Sequence, residues 1–342
     1  MKEYSFFVLF DKFISESKSG KRLKPDGFKI KTGTIDMYLV VRKSLWEFSD
    51  LDKFPLRICQ VSRTNMREHK TEILYWKRFY GRYSQFLYAK GCFDNYVGAH
   101  YKVIRTFFNY LNRQKGISTG EVHKQLYIRT EKVPIIVLDN HQFHFLCYDE
   151  QFSASIPEYL KRTKDIFLFG CYTGLRYSDL MALTAKNVQL SEGNHYLVNK
   201  SIKTRTETRI KLTGFTLDVL KRSGTKKYLL PRISKARLNK NLKELFELAG
   251  WTHDIGKTRE KRGAIQSINK NGKTYRFCDL VTTHTMRRTA ITLLLTQGMP
   301  EIMVRKISGH AANSKEFYKY VHYSQQLIDK ELDRIYISMP TK

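Results

Sequence analysis

Five short segments, spread along the 342-residue chain, hold side chains suited to one kind of chemistry. TGLRYSDL (173–180) contains Arg176, and IKTRTETRIKL (202–212) contains Lys203. THTMRRTA (283–290) contains His284 and Arg287, ISGH (307–310) ends on His310, and EFYKYVHYS (316–324) carries Tyr318, Tyr320 and Tyr323. Cutting a phosphodiester without a metal ion needs a nucleophile in line with phosphorus, cations on the phosphoryl oxygens and an acid for the leaving oxygen. Arginine offers a planar fork of donors and keeps its charge, so two arginines suit the oxygens. Lysine suits the leaving oxygen as general acid. Histidine can accept the nucleophile's proton or donate to phosphate. A tyrosine hydroxyl, with an ordinary pKa of about 10, becomes a nucleophile only among cations and a base.

Each segment alone has a plainer reading. Arg176 beside Asp179 fits a surface ion pair, and Lys203 is one lysine among many. His284 and Arg287, spaced i, i+3, share a helix face, as many pairs do by chance. Gly309-His310 fits a helix C-cap with an ordinary histidine, and the tyrosines fit core or surface aromatics. The ordered set inside a basic region favours the chemical reading.

These residues need elements to hold them. A basic loop follows a short helix over residues 4–17, and Thr34 then caps a helix through Phe48. Residues 71–90 and 94–113 give two more helical patterns, the second with Val97, Tyr101, Ile104, Phe108 and Leu111 at three- and four-residue steps and Gly116 as its stop. Residues 1–116 therefore read as a small helical unit. The polar stretch 117–132 reads as an interdomain linker with room for a short strand. Beyond it, Asp139 caps a helix, an apolar helix over 155–172 is broken at Gly174, and Ser178 and Asp179 sit where the next begins. Residues 195–213 alternate like two strands around a turn bearing Lys203. A helix over 235–250 follows, then a hairpin over 264–278 with Asn271-Gly272 at its turn. The pattern from Thr282 onward is helical. The fold class is mainly α with small β elements, in two domains.

Charge supplies the partner class. The chain has 61 Lys and Arg against 32 Asp and Glu, a formal charge of +29. Residues 200–276 alone hold 21 Lys and Arg against 6 Asp and Glu. Loops loaded with cations in so basic a chain point to phosphate, and hence to nucleic acid. A membrane surface is the competing partner, but no basic amphipathic segment stands apart from the folded pattern. No run of apolar residues is long enough for a membrane span, and the acidic, mixed beginning is unlike a signal peptide. Five scattered cysteines without C-x-x-C spacing argue against a disulfide framework and a zinc site, and for a reducing, cytoplasmic setting.

In order and separation, T-G-L-R, the lysine, H-x-x-R and G-H resemble the motifs of the tyrosine recombinase (phage integrase) family. The resemblance spans the whole chain. It implies a helical core-binding domain over 1–116, a linker over 117–132 and a catalytic domain over 133–342. It implies that Arg176 and Arg287 hold the phosphoryl oxygens, Lys203 protonates the leaving oxygen, His284 is general base or acid, and His310 hydrogen-bonds the phosphate. Tyr320 lies ten residues after His310 and Tyr318 eight, straddling the family's spacing. F-Y-K-Y-V-H aligns best with Tyr320 as nucleophile, leaving Tyr318 as the alternative. The implied partner is double-stranded DNA, gripped by a homotetramer on two sites, with a place for an accessory DNA-bending protein. No metal, cofactor or ATP is implied. TGLRYSDL and the F-Y-K-Y-V ending look closest to integrases of mobile elements. A type IB topoisomerase and a non-catalytic DNA-binding relative are the alternative readings.

Overall fold

The computed structural model describes residues 2–61, 65–131, 133–223 and 227–310, with Ser314, Phe317, Tyr318, Ile328, Asp329, Leu332, Asp333 and Tyr336. The chain divides into two compact units. One is Met1–Val133 with Thr258–Ser267, and the other is Pro134–Lys257 with Ile268–Lys342. The fold is mainly helical with small antiparallel sheets, as the sequence predicts.

The first unit opens with β1 (Lys2–Ser5), α1 (Phe6–Ser19), α2 (Thr32–Leu51), β2 (Arg57–Gln60), α3 (Met66–Ala89) and α4 (Asp94–Gln114). Its core is aromatic. Phe6, Phe10, Phe13, Trp76, Phe107 and Phe108 are all but completely buried, and Trp76 meets Phe108 edge-on at 4.8 Å. Such pairs add about 0.5–1.5 kcal/mol each beyond the area they bury. The α4 stripe Val97, Tyr101, Ile104, Phe108 and Leu111 faces inward, as its spacing predicts. The strand pair β1–β2 was not legible, because KEYS and RICQ are four residues each and alternate weakly. Residues 117–126, expected as linker, pack on this core instead. Ile117, Val122 and Leu126 are buried in it, around a 3-10 turn at Val122–Gln125.

The second unit starts with α5 (Asn140–Tyr148), whose N-cap Asp139 forms the reciprocal capping box with Gln142. Such a cap contributes about 1 kcal/mol. There follow α6 (Glu150–Ser155), α7 (Glu158–Thr173), α8 (Tyr177–Leu180), the antiparallel sheet β3 (Val188–Ser191), β4 (Asn194–Lys200) and β5 (Glu207–Lys211), then α9 (Gly214–Ser223) and α10 (Lys235–Leu248). The hairpin β6 (Lys257–Lys261) and β7 (Ala264–Ile268) comes next, then α11 (Phe277–Leu280), α12 (Thr283–Thr296) and α13 (Glu301–Ser308). Phe167 and Phe246 stack edge-on at 5.2 Å in the centre of this unit's core.

The expected hairpin over 264–278 is shifted. Its strands turn at Arg262-Gly263, both left-handed, while Asn271-Gly272 makes a separate tight turn closed by the lone bridge Lys270–Lys273. Most of the hairpin belongs to the first unit by contact. Asp94 accepts the Arg262 and Gly263 backbone N–H groups at 2.8 Å each, and Glu131 takes the Arg259 fork at 3.0 and 2.6 Å. All five cysteines are free, and no described helix is long and apolar enough to cross a membrane.

Candidate active site

The site is assembled around the end of α7. Gly174 caps α7 in the left-handed conformation, and the chain turns directly into Arg176, the N-cap of α8. Gly170 lets α12 approach α7 closely, since a Cβ there would lie 2.6 Å from Met286 Sδ. The close approach brings Arg287 to the α7 cap. Arg287 is only 5% exposed and donates from Nη1 to the Gly174 carbonyl at 2.8 Å. Its Nη2 lies 3.0 Å from His310 Nε2 and 3.1 Å from Nδ1.

Arg176 donates from Nη1 to Ser201 Oγ at 3.2 Å. No Arg176–Asp179 ion pair forms among the described residues. Buried Asp179 instead accepts the Ile202 backbone N–H at 3.0 Å, clasping the foot of the turn that carries Lys203. That turn joins β4 to β5 and is closed by Ser201 N–H to Thr206 O at 2.9 Å. Lys203 is exposed at its tip. Thr206 Oγ1 reaches the Gly309 carbonyl at 3.4 Å, so the lysine turn touches the residue before His310.

His284 sits on the first turn of α12, which Thr282 caps in a capping box with Thr285. Gly309 ends α13 with φ 62, a conformation that favours glycine, and redirects the chain so that His310 meets Arg287. The His310 ring is edge-on to buried Phe317 at 5.4 Å, and Arg305 lies over the Phe317 and Tyr318 rings at 4.2 and 4.9 Å. Tyr318 is half exposed. Tyr320, Tyr323 and much of the apolar tail after Gln325 lie outside the described residues.

The electrostatics are one-sided. Burial, followed by the charges of Arg287, Arg176 and Arg305, pushes the His310 pKa down to about 3. His284 is also lowered, by desolvation and by Lys235, Arg288, Arg287 and Lys203. Because His284 is exposed, the surrounding charges are the firmer of its causes. Cations thus add to burial in lowering both imidazoles, and an anion entering the site would oppose the part the charges supply. Among the described residues, no group of three His, Cys, Asp or Glu is placed to hold a metal ion.

The structure therefore brings Arg176, Lys203, His284, Arg287 and His310 into one neighbourhood. Sequence reasoning missed Ser201, Arg305 and Ser308, whose roles exist only through three-dimensional contact; Ser308 lies within ISGH and Ser201 directly precedes the lysine segment.

The model of the phage integrase family matches residues 150–326, more than half of the chain. The chain belongs to the phage integrase family. As a tyrosine recombinase it is a DNA breaking and rejoining enzyme. No curated protein matches it by sequence. Among solved structures it is similar to the XerH site-specific recombinase in a post-cleavage complex with palindromic difH substrate, at TM-score 0.58 and 15% identity, covering 96% of this chain and 84% of that one. It is similar to the Tn1549 transposon integrase in complex with circular intermediate DNA, at TM-score 0.55 and 16% identity, covering 95% and 98%. A lambda integrase tetramer bound to a Holliday junction gives TM-score 0.58 at 12% identity, covering 91% and 79%. At these identities the likeness is one of fold.

Proposed function

We propose that this integrase-family member is a site-specific recombinase of double-stranded DNA that serves a mobile element, with Tyr320 as nucleophile. The tyrosyl oxygen attacks the scissile phosphorus, its proton passing to His284. A 3′-phosphotyrosyl bond forms as the bond from phosphorus to the 5′ oxygen breaks, and Lys203 protonates that oxygen. Arg176 and Arg287 hold the phosphoryl oxygens, and His310 completes the phosphate pocket beside Arg287. A 5′ hydroxyl from the partner strand then attacks the same phosphorus and releases the tyrosine. The ester conserves the bond energy, so ATP has no role, and every step is assigned to a protein side chain. Residues 1–116 act as the core-binding domain and 133–342 as the catalytic domain, joined by the stretch 117–132, whose first part packs on the core-binding domain.

One observation carries this reading. Arg287 is buried yet aims one arm of its fork at the cap before Arg176 and the other at His310, so three distant motifs meet at a single guanidinium. The mobile-element setting rests on TGLRYSDL and the F-Y-K-Y-V ending, with the Tn1549 transposon integrase as a neighbour in fold. The XerH and lambda integrase complexes, the latter a tetramer, support duplex DNA as partner and a tetramer on two sites. The deciding experiment incubates the protein, with chelator and without ATP, with nicked duplexes from the ends of its element. Mass spectrometry should find the covalent nucleotide on Tyr320. An adduct that persists in Tyr320→Phe, or none in the wild type, refutes the assignment.

A further inference from the structure

Ser308 is the last residue of α13 and is buried. Its hydroxyl oxygen lies 2.6 Å from the Val304 carbonyl, 3.4 Å from the Arg305 carbonyl and 2.8 Å from His310 Nδ1. A hydroxyl has one hydrogen and two lone pairs. The short bond back to Val304, four residues earlier, takes the hydrogen, as helical serines do. What Ser308 offers His310 is then a lone pair, and Nδ1 must carry the proton.

Arg287 requires the remaining ring nitrogen to be bare. Arg287 can only donate, and its Nη2 lies 3.0 Å from Nε2 and 3.1 Å from Nδ1. Either nitrogen is within reach as acceptor, so this contact requires one bare ring nitrogen without choosing which. A proton on Nδ1 leaves Nε2 with a lone pair facing the guanidinium. Ser308 makes the choice: with the proton on Nδ1, Nε2 is the nitrogen that accepts from Arg287.

We propose that Ser308 is a positioning residue that fixes His310 as the Nδ1–H tautomer, so that the Nε2 lone pair seats the Arg287 fork for reaction. The role in reaction rests on the recombinase reading; the tautomer does not. Arg176 from the start of α8, Arg287 from α12 and Arg305 from α13 all bear on the ring, and Phe317 covers one edge. Among these cations the ring is neutral wherever an ordinary histidine titrates, so tautomer rather than charge is the variable. A flipped tautomer would set a bare Nδ1 against the Ser308 lone pair and offer Arg287 the other nitrogen, pulling the fork off the line set by the Gly174 carbonyl.

The test uses full-length protein with isotope-labelled histidine and no DNA. Long-range proton–nitrogen correlation spectra separate a protonated ring nitrogen from a bare one, and His310→Gln identifies the signals by their loss. The wild type should show Nδ1–H and bare Nε2 from about pH 5 to pH 8, the range in which a free imidazole titrates. Ser308→Ala should move the proton to Nε2, wholly or in part, and slow single-turnover cleavage on the order of tenfold, the effect of one lost hydrogen bond on alignment. Ser308→Thr, which keeps the hydroxyl, should restore both. A wild-type ring with its proton on Nε2, or a Ser308→Ala ring unchanged from wild type, overturns the proposal. The spectra need neither DNA nor catalysis, so this inference can fail while Tyr320 still forms its adduct, and the reverse.

Discussion

Replacing Arg287 with lysine keeps the charge and removes the fork. The guanidinium bonds the Gly174 carbonyl at 2.8 Å and His310 at 3.0 Å from different nitrogens. An ammonium on a flexible stem can serve one of these but cannot span both while facing a phosphate. A hydrogen bond from a charged donor contributes about 1.5–3 kcal/mol, and the lysine recovers part of it, so stability should fall by about 1–2 kcal/mol. The chemical step should suffer more. Removing one donor from a developing oxyanion costs about 3–4 kcal/mol, or roughly 10²–10³ in rate. DNA affinity should change little, because one phosphate contact among many is altered. The assay is single-turnover formation of the covalent adduct on a nicked duplex at saturating protein, paired with urea unfolding. An Arg287→Lys protein that forms adduct within about threefold of the wild-type rate would show that the fork does not stabilise the transition state, since that is under 1 kcal/mol.

Three further outcomes follow from the same geometry. Lys203→Ala should slow cleavage by about 10²–10⁴, as loss of a general acid does, and a substrate with sulfur at the leaving position should recover most of that in a quench assay. Burial alone would raise the Asp279 carboxyl, but Lys270, at 2.6 Å, and Arg276 outweigh it and hold the pKa at about 2. Its folded pKa lies below the unfolded value, so its contribution is full above about pH 4 and is lost as pH falls toward 2; since Lys270 is half exposed, about 1–2 kcal/mol is at stake, and Asp279→Asn should flatten acid unfolding over that window. Duplex affinity should fall steeply with salt, with a slope in log K against log salt near −0.9 per phosphate contacted, and titrations at several salt concentrations that show a flat line would argue against backbone binding.

How much of this was legible before the structure depends on the length of the signal. The α4 stripe is long and strongly periodic, and it lies where its spacing puts it. Asp139, Gly174 and Thr282 mark helix ends through local hydrogen bonds and backbone angles that sequence encodes directly. The hairpin was shifted because Asn-Gly is the stronger turn signal, whereas the actual turn places Arg262 in a left-handed conformation that Asp94 holds from afar. The packing of residues 117–126 was not legible because three buried apolar residues among polar ones make no period. In the site, motif residues could be named, but their connections could not. Asp179 reads in sequence as a partner for Arg176 at a helix start, yet it reaches across to Ile202 and so steadies the lysine turn.

The pattern of those connections explains why so many short elements surround one phosphate position. Arg176, Lys203, Arg287 and His310 come from a helix cap, a strand turn, a helix side and a helix end, and no two share a rigid element. Rigidity is supplied instead by neutral or buried groups between them: Ser201 under Arg176, Asp179 under the lysine turn, Thr206 against Gly309, and Ser308 under His310. Packing cations this closely in a folded protein is unfavourable, and their charges add to burial in depressing both histidines. A small set of short polar tethers holds the arrangement against it before any anion arrives. On the proposed mechanism a phosphate entering the site relieves the repulsion among the cations, most fully when its charge rises in the transition state, which is where binding energy accelerates reaction.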